Sequence, residues 1–193
     1  MSDKTNSKPP FSEDIDSSIN IKKGGSGEEP SAPRPAATVL LVRAPLNKVE
    51  VFMIQRNAKT NFGNAWVFPG GKLDEVDGID EANDYCFGLS DEMASQILGL
   101  KKGGLNYWVA CIRECFEECG VLLAYRENGD LLDDPSKDEM TILDRYRDLL
   151  NQGEPVLYQL CKEMNLKLAV DRLAYISHWV TPVSYTHLTL PTT

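Results

Sequence analysis

The run ACIRECFEECG, Ala110 to Gly120, constrains this chain more than any other stretch. Wound as a helix at about 100° per residue, it puts Cys111, Ile112, Cys115, Phe116 and Cys119 on one face. Arg113, Glu114, Glu117 and Glu118 fall on the other. A helix divided in this way sets one face into a core and leaves the other at a boundary. Gly120 is a stop signal, so the spacing predicts a helix over roughly 107–119. Neighbouring carboxylates on one helix face repel one another unless something positive offsets them. Mg²⁺ and Mn²⁺ favour such oxygen donors, and Arg113 can hold a glutamate by a charge-assisted pair. The plain alternative is a solvated acidic face.

The cysteines allow two readings of their own. Structural zinc usually takes paired Cys knuckles or added histidines, and neither accompanies this helix. Ile112 and Phe116 share the cysteine face, so buried packing of small apolar thiols is the favoured reading.

The 193 residues suffice for one domain with a sizeable core. With 29 Asp+Glu against 20 Lys+Arg, the chain is expected not to bind a nucleic-acid polymer, whose phosphates it would repel. The five cysteines are an odd count, no apolar leader opens the sequence, and no apolar run is long enough to span a bilayer. These features lead us to expect an intracellular, soluble protein with reduced thiols and no membrane contact.

Residues 1–35 are rich in Ser, Pro, Gly and charge, and are expected to form a disordered tail. AATVLLVRA and KVEVFMIQR read as an antiparallel hairpin. WVFPGG reads as a short strand ending on Pro69, Gly70 and Gly71. Within the acidic stretch 78–105, residues 90–100 look helical, with Ser90 as N-cap and Gly99 beyond the end. GVLLAYR is expected as a strand. DEMTILDRYRDLL and PVLYQLCKEMN are expected as helices, with Pro155 in the first turn of the second. LAYISHWVTP is expected as a further strand carrying His178 as a structural histidine. The last eleven residues, VSYTHLTLPTT, resemble a translated sequencing adapter; 183–193, with His187, are set aside as non-native.

RECFEECGV resembles the second half of the box of the Nudix hydrolases, G-x5-E-x7-R-E-U-x-E-E-x-G-U with U apolar. Arg113, Glu114, Glu117, Glu118, Gly120 and Val121 match, and Cys115 fills the first apolar slot. FPGGKLDEVD resembles the first half, with Gly71 as the leading glycine. Asp77 stands where the family has glutamate, and residues 78–105 are an insertion within the box. The split box, together with HWVTP, is similar to the coenzyme A diphosphatase branch of Nudix enzyme 19-like proteins. That branch has an arginine and a glycine before FPGG; Arg56, Lys59 and Gly63 lie nearby at a different spacing.

The resemblance implies an α/β fold, the Nudix α/β/α sandwich with a mixed sheet, over residues 36–182. The last strands and helix of that fold would be missing, leaving this chain poorly stable or inactive. It implies a metal-dependent hydrolase that cleaves a diphosphate linkage in a phosphorylated small molecule such as CoA or acyl-CoA. Mg²⁺ or Mn²⁺ would be held by Glu114, Glu117 and Glu118. Glu114, Glu117 and Arg113 would be catalytic, with the identity of the proton acceptor open. Gly70 and Gly71 would form the loop that lets the backbone approach the metal site, Arg56 would contact phosphate, and Asp77 would back up Arg113 with a shorter reach than glutamate. A peroxisomal or mitochondrial address fits the branch, and oligomeric state stays open. The competing expectations are a non-catalytic Nudix-fold binding module and a structural interaction domain.

Overall fold

The β-branched run near the start of the domain needs a partner strand, and it finds several in sequence. The computed structural model of the chain describes residues 33–56, 64–78 and 82–180. Residues 1–32 of the expected tail 1–35, residues 57–63 with Lys59 and Gly63, and the adapter-like 183–193 lie outside the described residues. Strand β1, Ala36–Thr38, is followed by β2, Val42–Arg43, and β3, Glu50–Val51. The latter two form the expected antiparallel hairpin around a 3-10 turn at Pro45–Asn47. β4, Ile54–Gln55, pairs antiparallel with β5, Trp66–Val67.

The chain does not stop at the glycine pair, as the sequence led us to expect. Gly70–Lys72 continues as strand β6, antiparallel to β1, with Ala37 opposite Gly71. Glycine is what permits this pairing. A Cβ at Gly70 would overlap the Ala37 carbonyl, and one at Gly71 would overlap the Glu114 carboxylate.

Helix α1 is Ala82–Tyr85 and α2 is Asp91–Leu98. Ser90 caps α2 as expected, accepting from the Met93 amide at 3.2 Å, and Gly99 closes it in the left-handed region at φ 69°. Helix α3, Leu105–Cys119, starts two residues earlier than expected and ends at Gly120, φ 72°. Strand β7 covers only Ala124–Tyr125 of the expected GVLLAYR strand, because its partner β8, Lys167–Leu168, is equally short. Between them lie α4, Lys137–Asn151, and α5, Leu157–Glu163. Pro155 precedes α5 rather than sitting in its first turn. The Val156 amide bonds back to Glu154 O, and the helix begins from the Val156 carbonyl.

The segment from Leu173 to Val180 is irregular, not a strand. No described strand runs beside it, and a strand without a neighbour leaves its backbone groups unpaired. Ile176, Trp179 and Val180 are exposed there, and the His178 ring meets Tyr175 Oη at 3.0 Å.

The core is built on α3. Leu105, Val109, Ile112 and Phe116 are buried with Leu98 of α2, Leu143 and Leu150 of α4, and Leu157 and Leu160 of α5. Each such side chain contributes roughly 1.5–3 kcal/mol by leaving water. The other side of α3 packs on β1 and β6. The architecture is α/β, with its sheet in four two-stranded antiparallel ladders. The one parallel pairing among the described residues is the bridge Cys86–Leu168.

Candidate metal and diphosphate site

The site is assembled from β6, the 3-10 turn after it and the face of α3 opposite Phe116. The turn, Glu75–Gly78, tucks Asp77 into a fully buried position. There its carboxylate accepts from Arg113 Nε at 2.8 Å and Nη2 at 3.0 Å, a two-pronged pair. It also accepts from the Asp74 amide at 2.8 Å. The shorter acid therefore reaches the arginine in full.

Arg113 is where the two-faced helix departs from expectation. It is 2% exposed, not on a solvated face. Burying a guanidinium is costly unless its donors are met. All five are: Nε and Nη2 on Asp77, Nη2 also on the Lys72 carbonyl at 2.8 Å, and Nη1 on Glu114 at 3.1 Å and Glu117 at 2.9 Å. Burial acts to lower its pKa, but the bonds and charges of Asp77 and Glu117 outweigh that and raise it. It stays a cation.

Glu114 and Glu117 thus lie side by side on one guanidinium, at 13% and 16% side-chain exposure. Burial pushes both carboxyls above the usual carboxylate range, against the opposing pull of Arg113. Glu118 accepts from the Gly70 amide at 2.9 Å, which fastens the strand to the helix. Gly70, Gly71, Arg113, Glu114, Glu117 and Glu118 come together in one cleft of about 730 Å³. Its wall also carries Asp74, Glu75 and Glu154, none of them singled out in the sequence, and the turn from Asn151 to Pro155. The clustering of Asp74, Glu75 and Asp77 after the glycine pair was the available signal for the first two. Glu154 had none, since only the fold brings it there. Arg56 is exposed at the end of β4 and does not line this cleft.

Both ends of α3 are held from outside the helix. At its start, Asp91 of α2 accepts from the Gly103 amide at 2.9 Å and the Leu105 amide at 3.0 Å. Ser95 Oγ accepts from the Gly104 amide at 2.9 Å. The insertion that splits the box therefore bonds the Leu105 amide and the two just before it, anchoring the start of the helix that carries the glutamates.

The thiol face is only partly packed inward: Cys111 and Cys119 are half-buried, and the bond from Cys115 lowers the Cys119 thiol to about 7. Cys115 is buried, and burial, with Asp77 and Glu114 nearby, pushes the Cys111 thiol up to about 12. Such a thiol is protonated at neutral pH and a weak ligand.

Among the described residues, no group of three or more His, Cys, Asp or Glu is arranged to hold a metal ion as it stands. Glu114 and Glu117 are turned onto Arg113, and Glu118 onto Gly70. The donor chemistry nevertheless suits a hard cation: among the described residues six carboxylates, Glu114, Glu117 and Glu118 included, line a cleft with the bases Lys72 and Arg113. The absence of a Cβ at Gly71 leaves the space that the Glu114 carboxylate occupies. A smaller concavity of about 420 Å³ borders Arg126, Asp130 and Arg172, but Arg126 is engaged by Glu139 and Arg172 by Tyr125. Among the described residues no helix is long and apolar enough to cross a membrane.

A family model described as NUDIX domain matches residues 32–165, more than half of the chain. A curated relative, acyl-coenzyme A diphosphatase NUDT19 of Xenopus laevis, is 28% identical over 160 residues, covering 69% of this chain and 42% of the relative. The chain spans less than half the length of that relative. No solved structure matches.

Proposed function

This chain belongs to the NUDIX domain family, and on that premise we propose that it is a divalent-metal-dependent hydrolase cleaving a diphosphate linkage in a phosphorylated small molecule. CoA or acyl-CoA is the favoured substrate class, since the relative is named an acyl-coenzyme A diphosphatase. The observation that carries the reading is the arrangement of Glu114, Glu117 and Glu118 around a fully satisfied Arg113 beside the Gly70–Gly71 strand.

In this reading Glu114, Glu117 and Glu118 hold Mg²⁺ or Mn²⁺. A cation held there would supply neutralisation of phosphate charge and a more acidic water. The chain's own residues do the rest. Asp77 holds Arg113, and Arg113 fixes the spacing of Glu114 and Glu117. Glu114 and Glu117, whose proton affinity is raised by burial, are the candidates for taking the proton from water. The glycine pair lets backbone approach the diphosphate. An anionic substrate would be repelled by the carboxylates of this cleft without a cation between them.

The test is turnover of a panel of CoA, acyl-CoA, nucleotide-sugar and dinucleotide substrates with Mg²⁺ or Mn²⁺. Replacing Glu117 and Glu118 by Gln is expected to lower turnover on the order of 10²–10³-fold while the circular dichroism spectrum stays native. Unchanged turnover in that variant would show that the reading is wrong.

A further inference from the structure

Helix α3 ends in the turn that carries Glu117 and Glu118, and the last carbonyls of any helix lack partners within it. Here α4 supplies one. Arg147 Nε donates to the Glu117 carbonyl at 3.0 Å, and Nη2 donates to the Glu118 carbonyl at 3.2 Å. The planar guanidinium meets two successive carbonyls from two separate nitrogens held in one fork, a geometry the single nitrogen of an ammonium group does not reproduce. Gly120 leaves the room: a Cβ there would lie 3.2 Å from Arg147 Nη1. A cation at this point also complements the negative end of the helix dipole. One turn further along α4, Asn151 Nδ2 donates to the Arg147 carbonyl at 3.0 Å, and Asn151 lines the cleft.

We propose that Arg147 is a positioning residue: it fixes the backbone from which the Glu117 and Glu118 carboxylates project. It touches neither carboxylate in the structure and acts through the two carbonyls. The proposal rests on the reading of these glutamates as metal ligands.

Its sign separates it from plain electrostatics. Taking a positive charge away from the vicinity of a cation site would, by Coulomb's law alone, tighten cation binding. Losing a positioning contact loosens it, typically by about 10–100-fold for groups that orient metal ligands.

The experiment is a titration of the full 193-residue chain with Mn²⁺, free ion read by electron paramagnetic resonance, at a temperature where circular dichroism shows each variant folded. Arg147→Met is expected to raise the Mn²⁺ dissociation constant at least ~10-fold. Arg147→Lys, which keeps the charge but not the fork, is expected to fall between it and the wild type. Equal or tighter binding by Arg147→Met would overturn the proposal, even if the melting temperature falls. If Arg147→Met does not fold, Arg147→Lys decides: weakened binding supports the proposal and wild-type binding overturns it. Wild-type protein that binds no Mn²⁺ would instead defeat the metal reading beneath it.

Discussion

Arg113 and Asp77 set the terms of the site at the scale of single residues. A guanidinium at 2% exposure and a carboxylate at 0% form a pair that is costly to break, because each would be left charged and dry. Asp77→Ala is expected to cost about 3–5 kcal/mol in a urea melt. Asp77→Glu is the more instructive change, since it installs the family's usual residue. Asp77 already makes both bonds to Arg113 with no exposed surface to spare. The added methylene is therefore expected to destabilise by about 1–3 kcal/mol rather than to improve the pair. A Glu variant as stable as the wild type would show that the pocket has room to spare.

Among the elements, α3 carries the candidate site residues and α2 secures its start. The N-cap residue Gly104 offers no side chain to the open amides. Asp91 and Ser95, reaching across from the insertion, take that role. Asp91→Ala is expected to lower stability by about 1–2 kcal/mol, with faster hydrogen exchange at Gly103 and Leu105 as the local signature. Unchanged exchange at those two amides would show that the insertion does not hold the helix. These helices were largely legible in the sequence, because capping and periodicity are local: Ser90, Gly99 and Gly120 marked their ends. The strands were less so. Gly70 and Gly71 looked like a stop but form a paired strand, since strand length depends on a partner distant in sequence. The depth of Arg113 was hidden for the same reason. Periodicity assigns a face, whereas Asp77, brought in by the turn after β6, decides that the arginine on that face is buried.

Across the whole molecule, the described residues divide into a helical body with a continuous apolar core and a sheet that shares it less. Val42, Val51 and Trp66 of the short strands are exposed, while only Ala37 and Val39 of the first strand segment are buried. The acidic cleft is lined by residues of both parts: β6, α3 and the Asn151–Pro155 turn. Among the described residues Asp74, Glu75, Glu114, Glu117, Glu118 and Glu154 line it against Lys72 and Arg113, a balance of charge that attracts cations. The grouping of Glu114, Glu117 and Glu118 on one helix face was readable from their spacing. That Asp74, Glu75 and Glu154 would join them was not, because a turn and an interhelical loop carry them there. The most direct test is whether the glutamates hold a divalent ion, by Mn²⁺ binding to the wild-type chain and to a Glu114→Gln, Glu117→Gln, Glu118→Gln triple variant. Saturable binding by the wild type, lost in a triple variant that remains folded, is the predicted result; equal binding by the two, or none by the wild type, would contradict it.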